Sequence, residues 1–251
     1  MELWYLHQSG FALDTGRLFL IFDCDCDTPH SGHLADGVVA PEDLAGRDVV
    51  VLVSHIHADH YAPFIFEWAK APVRRIRYIL SDDIPLPDPH PAGCELISAA
   101  PHTTLELGDL TVETLLSTDE GVAFLLTLPD GRVIYHAGDL NWWHWTGETD
   151  DYNADMARRY KAELARLRGR RIDLAMVPVD PRLGPTYAWG LDALMRTADV
   201  RLAVPMHFAD HFEIIPQLLA DPISEPYRSK ILPLHHRGEA IRWAPPADPP
   251  Q

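Results

Sequence analysis

Residues 49–60 read VVVLVSHIHADH. Five apolar residues without alternation mark a strand covered on both faces, because a strand with one wet face alternates apolar and polar side chains. A chain with such a strand needs packed material above and below it, which points to layers of sheet and helix around a common core. The strand runs directly into His55, His57, Asp59 and His60, four residues with metal-ligating groups within six positions. Side chains at i and i+2 of an extended segment project to one face, so His55 and His57 can reach one ion. If the chain then turns, Asp59 and His60 are carried past that point toward a second ion. Imidazole and carboxylate suit zinc, manganese or iron.

The remaining sequence supplies the layers. Short strands separated by turns are expected at 4–6, 11–13 and 18–22. A short helix is expected over 63–71, with Pro63 in its first turn, and a strand at 76–80. Residues 105–116 read as a hairpin around Gly108-Asp109, and 122–135 as a second hairpin around Pro129-Asp130-Gly131. The clearest helix spans 152–168, where Met156, Tyr160, Leu164 and Leu167 recur at helical spacing. A buried strand at 172–177, a helix at 191–198 and a strand at 202–204 follow. No long linker interrupts this order, which predicts one α/β domain over 1–244 with two sheets face to face and helices outside. Residues 245–251 form a Pro-rich tail expected to be disordered.

Composition narrows the function. The 251 residues carry a formal net charge of −16, which disfavours binding to a phosphate backbone. No positively charged start leads into an apolar run, and residues 11–22 are too short and interrupted to span a bilayer. A cytoplasmic protein without membrane or nucleic-acid partners is therefore expected, acting on a small molecule. Three cysteines, Cys24, Cys26 and Cys94, are too few for a disulfide scaffold. Fourteen histidines are many for this length, and several stand beside Asp, Pro or Gly at loop positions.

The segment His55-Ile56-His57-Ala58-Asp59-His60 resembles the signature of the metallo-β-lactamase-fold hydrolases. The resemblance extends in order along the chain, through the apolar strand ending at Asp23, His136-Ala137-Gly138-Asp139 and Val204-Pro205-Met206-His207. It implies a four-layer αβ/βα sandwich with a mono- or dinuclear site at one edge of two mixed sheets. It further implies that Asp139 bridges two divalent ions, zinc in the first instance with manganese or iron as alternatives, and that His207 is the last histidine ligand. In such a centre, water shared by the ions becomes a nucleophile near neutral pH. Among branches of the superfamily, the chain is most similar to the ascorbate-6-phosphate lactonase-like group, which transfers no substrate.

One element departs from the family pattern. A histidine usually stands between the cluster and the bridging aspartate, and Ser117-Thr118-Asp119-Glu120-Gly121 contains none. Thr118 stands near the place of that histidine, with Asp119 beside it as the better ligand type. Asp119 is therefore a candidate for metal or water binding, and Asp59, Asp119 and Asp180 are the candidate catalytic carboxylates. His7, Tyr61, Trp142 or Trp143, and Arg182 are candidates for the substrate-facing wall. His136 is expected to be packed beneath the site, and His30, His33, His235 and His236 to sit on surface loops. The favoured activity is hydrolysis of a small ester, lactone or phosphodiester. The alternatives are an iron-dependent oxidoreductase of the same fold and a catalytically weak metal-binding protein. Diiron electron-transfer members place a carboxylate where this chain has His57.

Overall fold

A computed structural model describes residues 1–25 and 31–243. Cys26, His30 and the tail at 245–251 lie outside the described residues.

The first half builds β1 (Glu2–His7), β2 (Gly10–Asp14), β3 (Phe19–Phe22), β4 (Asp48–Val53), β5 (Arg75–Ser81) and β6 (Glu95–Ala99). The second half builds β7 (Thr104–Glu106), β8 (Thr111–Leu116), β9 (Val122–Thr127), β10 (Val133–His136), α1 (Asp150–Leu164), β11 (Arg171–Ile172) and β12 (Leu174–Pro178). It ends with α2 (Trp189–Thr197), β13 (Asp199–Val200), β14 (Ala203–Met206), α3 (Ile214–Ala220) and β15 (Ala240–Arg242). One sheet has the order β15-β1-β2-β3-β4-β5-β6 and the other β14-β12-β10-β9-β8-β7, with β11 and β13 forming a short parallel pair. Each large sheet is mixed. Strands β1 to β3 are antiparallel and β3 to β6 parallel, whereas β7 to β10 are antiparallel and β10, β12 and β14 parallel.

The unalternating run at 49–53 has a direct cause. Val50 and Leu52 enter the large apolar cluster that holds the facing sheet, while Val49, Val51 and Val53 enter a second cluster on the other face. All five are essentially inaccessible. At roughly 25 cal/mol per Å2 of apolar surface, each such side chain contributes on the order of 1.5–3 kcal/mol relative to exposure.

The outer layers differ from expectation in kind. Residues Pro63–Lys70 form a 3-10 helix rather than an α-helix. Phe64, Ile65, Phe66 and Trp68 lose side-chain freedom in an α-helix, and the segment is too short to offset that loss. The outer face of the first sheet is covered by this 3-10 segment, with Ile65 and Trp68 buried. The second sheet is covered by α1 and α2, which carry Tyr160, Leu164, Leu191 and Leu194 into the core. Helix α1 starts two residues before the expected boundary, because the Thr149 hydroxyl accepts from the Tyr152 amide and Asp150 and Asp151 favour the positive end of the helix. It ends at Leu164 and tightens into a 3-10 turn over Ala165–Leu167. The strand expected at 172–177 is split at Asp173, whose side chain accepts from the Val133 amide. Among the described residues, no helix is long and apolar enough to cross a membrane.

The parallel strands β3, β4, β10, β12 and β14 lead at their C-terminal ends into Asp23, Ser54-His55, Asp139, Asp180 and His207. The two sheets meet there through glycine. Gly121 has φ of +66°, and a Cβ on it would lie 2.0 Å from the Ser54 carbonyl oxygen and 2.6 Å from the His55 Cβ. Replacing Gly121 by alanine should therefore destabilise the chain by about 2 kcal/mol or more, because strain and overlap add at one position. Thermal denaturation checks this; an unchanged Tm would show that the sheets can separate at no cost.

Candidate metal centre

Beyond β4 the backbone stops pairing as a strand. The Asp23 carboxylate takes over, accepting from the Ser54 amide and the Ser54 hydroxyl at 2.8 Å each. The chain then turns, with the amides of His60 and Tyr61 both donating to the His57 carbonyl at 2.9 Å. This turn brings His60 back under Ser54, fully buried. Asp139 arrives from the facing sheet after Gly138, whose missing Cβ leaves room for Ser54. His207 follows β14 with φ of +65° and is also buried.

Four of these side chains meet. Asp139 Oδ1 lies 3.2 Å from His60 Nε2 and 3.3 Å from His207 Nε2. Asp59 Oδ2 lies 3.6 Å from each of the same two nitrogens. Ligands about 2.0–2.2 Å from a four-coordinate ion stand roughly 3.3–3.6 Å from one another, by the geometry of a tetrahedron. The four distances are those between neighbours in such a shell, and the ligand atoms of Asp59, His60 and His207 all lie within 4.8 Å of one another. His60 Nε2, Asp139 Oδ1 and His207 Nε2 are buried and make no hydrogen bond within the protein. Leaving three buried polar atoms unsatisfied is costly unless something else engages them. The residues fit a divalent cation.

The far side of each imidazole is held by a partner. His60 Nδ1 lies 2.7 Å from Asp23 Oδ2, and His207 Nδ1 lies 3.0 Å from Asp180 Oδ2. A proton on Nδ1, donated to the carboxylate, leaves the Nε2 lone pair turned into the cluster. His55 Nδ1 meets the Ser54 hydroxyl at 3.0 Å.

A second group lies beside the first. His55 Nε2 is 3.1 Å from His57 Nδ1 and 3.9 Å from Asp139 Oδ2. His57 Nδ1 is 3.4 Å from Asp119 Oδ2. The ligand atoms of His55, His57 and Asp119 all lie within 4.8 Å of one another. Asp139 therefore turns one oxygen to each group. The second group has two open members, His57 and Asp119 at 44% and 43% of their side-chain surface, whereas in the first group His60 and His207 keep 0% and 2% and only Asp59, at 46%, is open.

The charges follow from the packing. Burial opposes ionisation of Asp139, but His207 and His60 outweigh it and hold the carboxyl well below the usual carboxylate range. Burial likewise opposes the charge on His60, yet Asp139 and Asp23 push its pKa up to about 10. Burial and the charge of His60 push His55 down to about 4, which keeps its ring neutral at pH 7. Burial and the nearby Asp139 raise Asp119. The cation-free cluster thus holds protons where a divalent ion would place its charge.

Thr118 is turned away from the cluster. Its hydroxyl donates to the Asn141 carbonyl at 2.7 Å and accepts from the Asn141 amide at 3.0 Å, so it pins the loop after Asp139. His136 is packed beneath the site, with Nε2 2.8 Å from the Ser9 carbonyl oxygen. His33, His235 and His236 are not buried. Asp180 stands behind His207: its oxygens accept from the Arg182 amide and guanidinium and face the His207 ring, and the residue also lines the larger cavity at the site.

Three of the expected wall residues are engaged elsewhere. His7 is buried in a pair with Asp25 and does not line either cavity at the site. Tyr61 packs with Phe66 on the outer face of the first sheet. Trp142 packs against Trp189, with Lys161 Nζ 4.0 Å above its ring. The two tryptophans that do face the cluster are Trp143 and Trp145. The chain turns at Trp143, where the His144 amide donates to the Trp142 carbonyl at 2.8 Å. His144 joins Trp142 against Trp189, while Trp143 and Trp145 stack at 6.1 Å. Of the two tryptophans at 142 and 143, the second is the one that lines the site. Arg182 lines two cavities. One, of about 410 Å3, includes Gln8, His207 and Phe208; the other, of about 210 Å3, includes Asp119, Asp139, Trp143 and Trp145.

No family model matches the sequence, and no curated protein matches it. Solved structures do. The chain is similar to the metallo-β-lactamase fold protein YhfI from Bacillus subtilis, at 16% identity and a TM-score of 0.60 over 96% of this chain and 99% of that one. It is similar to a possible metal-dependent hydrolase from Veillonella parvula, at 12% identity and a TM-score of 0.58, over 96% and 98%. It is also similar to CmlA, a diiron β-hydroxylase from Streptomyces venezuelae, at 14% identity and a TM-score of 0.61, covering 96% of this chain but 54% of that one. Two facing mixed sheets, with the histidines and aspartates gathered where their strands end, make this chain a protein of the metallo-β-lactamase fold.

Proposed function

We propose that the chain is a metal-dependent hydrolase of a small ester, lactone or phosphodiester. The observation that carries this reading is the set of four convergent atoms on Asp59, His60, Asp139 and His207, three of them buried without a partner. His60, His207, Asp59 and Asp139 would hold one ion, and His55, His57, Asp119 and the second oxygen of Asp139 another. Bound divalent ions there would supply Lewis acidity and acidify water near neutral pH. The chain's own residues do the rest. Asp23 and Asp180 fix the tautomers of His60 and His207. Asp139 presents one oxygen to each group. Trp143 donates from Nε1 to the Asp139 carbonyl at 2.9 Å and so fixes the loop that carries it. The two cavities give a small molecule access from two sides, and the acidic surface discourages long polyanions.

A second reading has its own support. Asp119 supplies a carboxylate at a position where the family pattern has a histidine, which shifts that group toward oxygen ligands and toward iron. The similarity to CmlA shows a shared fold only. Metal analysis of protein purified without added metal separates the two readings. Zinc or manganese with turnover on esters, lactones or phosphodiesters supports hydrolysis; iron with oxygen-dependent turnover supports the other.

The more exposed group around His57 should bind its ion more weakly than the buried group. Asp119→Ala is expected to lose about one equivalent of metal and Asp139→Asn both, as measured by elemental analysis after dialysis. Retention of both metals by Asp139→Asn would refute a shared aspartate. His57→Ala should lower kcat/KM by more than about 100-fold, since outer partners of metal ligands alone are worth 10–100-fold.

Metal uptake should also release protons. The raised pKa of His60, about 10 against an ordinary 6.5, means that the ring is protonated at pH 7 in the cation-free chain and must lose that proton to bind an ion. His207 is raised in the same direction by Asp139 and Asp180 against its burial. Affinity for zinc should therefore rise with pH between about 6.5 and 10. The same shift gives the cation-free fold a stabilising contribution that is complete below pH 6.5 and lost as pH approaches 10. Calorimetric titration in two buffers of different ionisation heat counts the protons; no net release at pH 7 would contradict the ring charges.

A further inference from the structure

Gln8 stands at the turn between β1 and β2, where neither its residue type nor any motif marks it in the sequence. Its φ is +52°, in the left-handed region. Two more non-glycine residues in that region, His207 at +65° and Ala209 at +48°, lie against it. Such backbone costs energy and persists only where surrounding contacts over-determine it. The contacts are specific. The side-chain nitrogen of Gln8 donates to Asp59 Oδ2 at 3.1 Å. Its side-chain oxygen accepts from the Ala209 amide at 3.0 Å, and its backbone carbonyl accepts from the His207 amide at 2.9 Å. Tyr5, fully buried and stacked on Phe208, donates its hydroxyl to the Ala209 carbonyl at 2.8 Å and closes the turn from below.

One residue therefore ties together the two loops that bring Asp59 and His207 to the cluster. The oxygen it holds on Asp59 is the one that faces both His60 Nε2 and His207 Nε2 at 3.6 Å. Asp59 keeps 46% of its side-chain surface, so burial alone does not fix its rotamer. An amide suits this place. Its nitrogen donates to a carboxylate and leaves that oxygen a further lone pair, while its oxygen meets a backbone N–H on the opposite loop. A carboxylate here would satisfy Ala209 and repel Asp59.

We propose that Gln8 is a positioning residue, which aims Asp59 at the buried group of the metal centre and locks it to the His207 turn. The proposal rests on the metal-centre reading, and its test is metal binding rather than turnover. Cobalt(II) titration, followed by visible absorption, reports affinity and coordination geometry. Gln8→Ala should weaken cobalt binding at the buried group 10–100-fold, the range found for residues that orient metal ligands, and change the absorption band, while the Tm of the metal-free chain stays close to the parent's. Gln8→Glu separates the two arms. It keeps an acceptor for Ala209 but not a donor for Asp59, and should weaken binding as strongly as Gln8→Ala. In an Asp59→Ala background, Gln8→Ala should cause no further loss.

Parent-like cobalt affinity and spectrum in Gln8→Ala would overturn the proposal. So would parent-like binding in Gln8→Glu, which would reduce Gln8 to a structural tie on the 207–209 turn. If Gln8→Ala does not fold, Gln8→Glu and the Asp59 background carry the test. A parent chain that takes up no cobalt overturns the metal-centre reading itself and this proposal with it, a result distinct from either variant outcome.

Discussion

The buried carboxylate of Asp139 organises this protein. It sits between His60 and His207, with one oxygen turned toward each neighbouring group. A charge at that depth is costly unless it is compensated. Both sheets supply the compensation at their strand ends. The first sheet sends Asp23 to hold Ser54 and His60, and the second sends Asp180 to hold His207. The glycines at 121 and 138 exist to let those ends approach, since a side chain on either would strike Ser54. Fold and site are thus one construction: the parallel halves of both sheets end at a common rim, and the rim is where charge is concentrated.

The centre is uneven, and the unevenness has a structural origin. His60 and His207 are each backed by a carboxylate and shut away from solvent. His57 is backed only by Asp119 and Glu120, all three partly exposed. A loop carrying Thr118 and Asp119 borders the outer group. Thr118 spends its hydroxyl on the loop of Asp139, which leaves Asp119 to face His57. The carboxylate adds an oxygen donor beside His57 but not burial, so the two groups differ in exposure and in donor type.

Much of this was legible in the chain. The run at 49–53 announced a strand buried on both faces, and its two faces do enter two different apolar clusters. The cluster from His55 to His60, together with Asp139 and His207, named the family pattern, and these residues do converge. Tyr61 directly follows His60 yet packs on the outer face of the first sheet, Trp142 packs against Trp189, and His7 pairs with Asp25. Trp143 and Trp145 line the smaller cavity instead, and Gln8, next to His7, reaches Asp59. Residue type alone does not fix which way these side chains turn. The 3-10 form of Pro63–Lys70 is likewise not written in the residues. Apolar spacing reports that a face is buried, not how tightly the backbone winds beneath it.

The sequence by itself determined the layered α/β character, the ligand types and the missing histidine, because each is written in residue identity and short-range period. Only the tertiary structure decided which oxygen of Asp139 faces which group, that Asp23 and Asp180 fix the two rings, and that a glutamine from the first hairpin joins Asp59 to the turn at His207. Those relations link positions 27 to 201 residues apart. Distance along the chain carries no trace of them; they follow from which strand ends two packed sheets bring to the same rim.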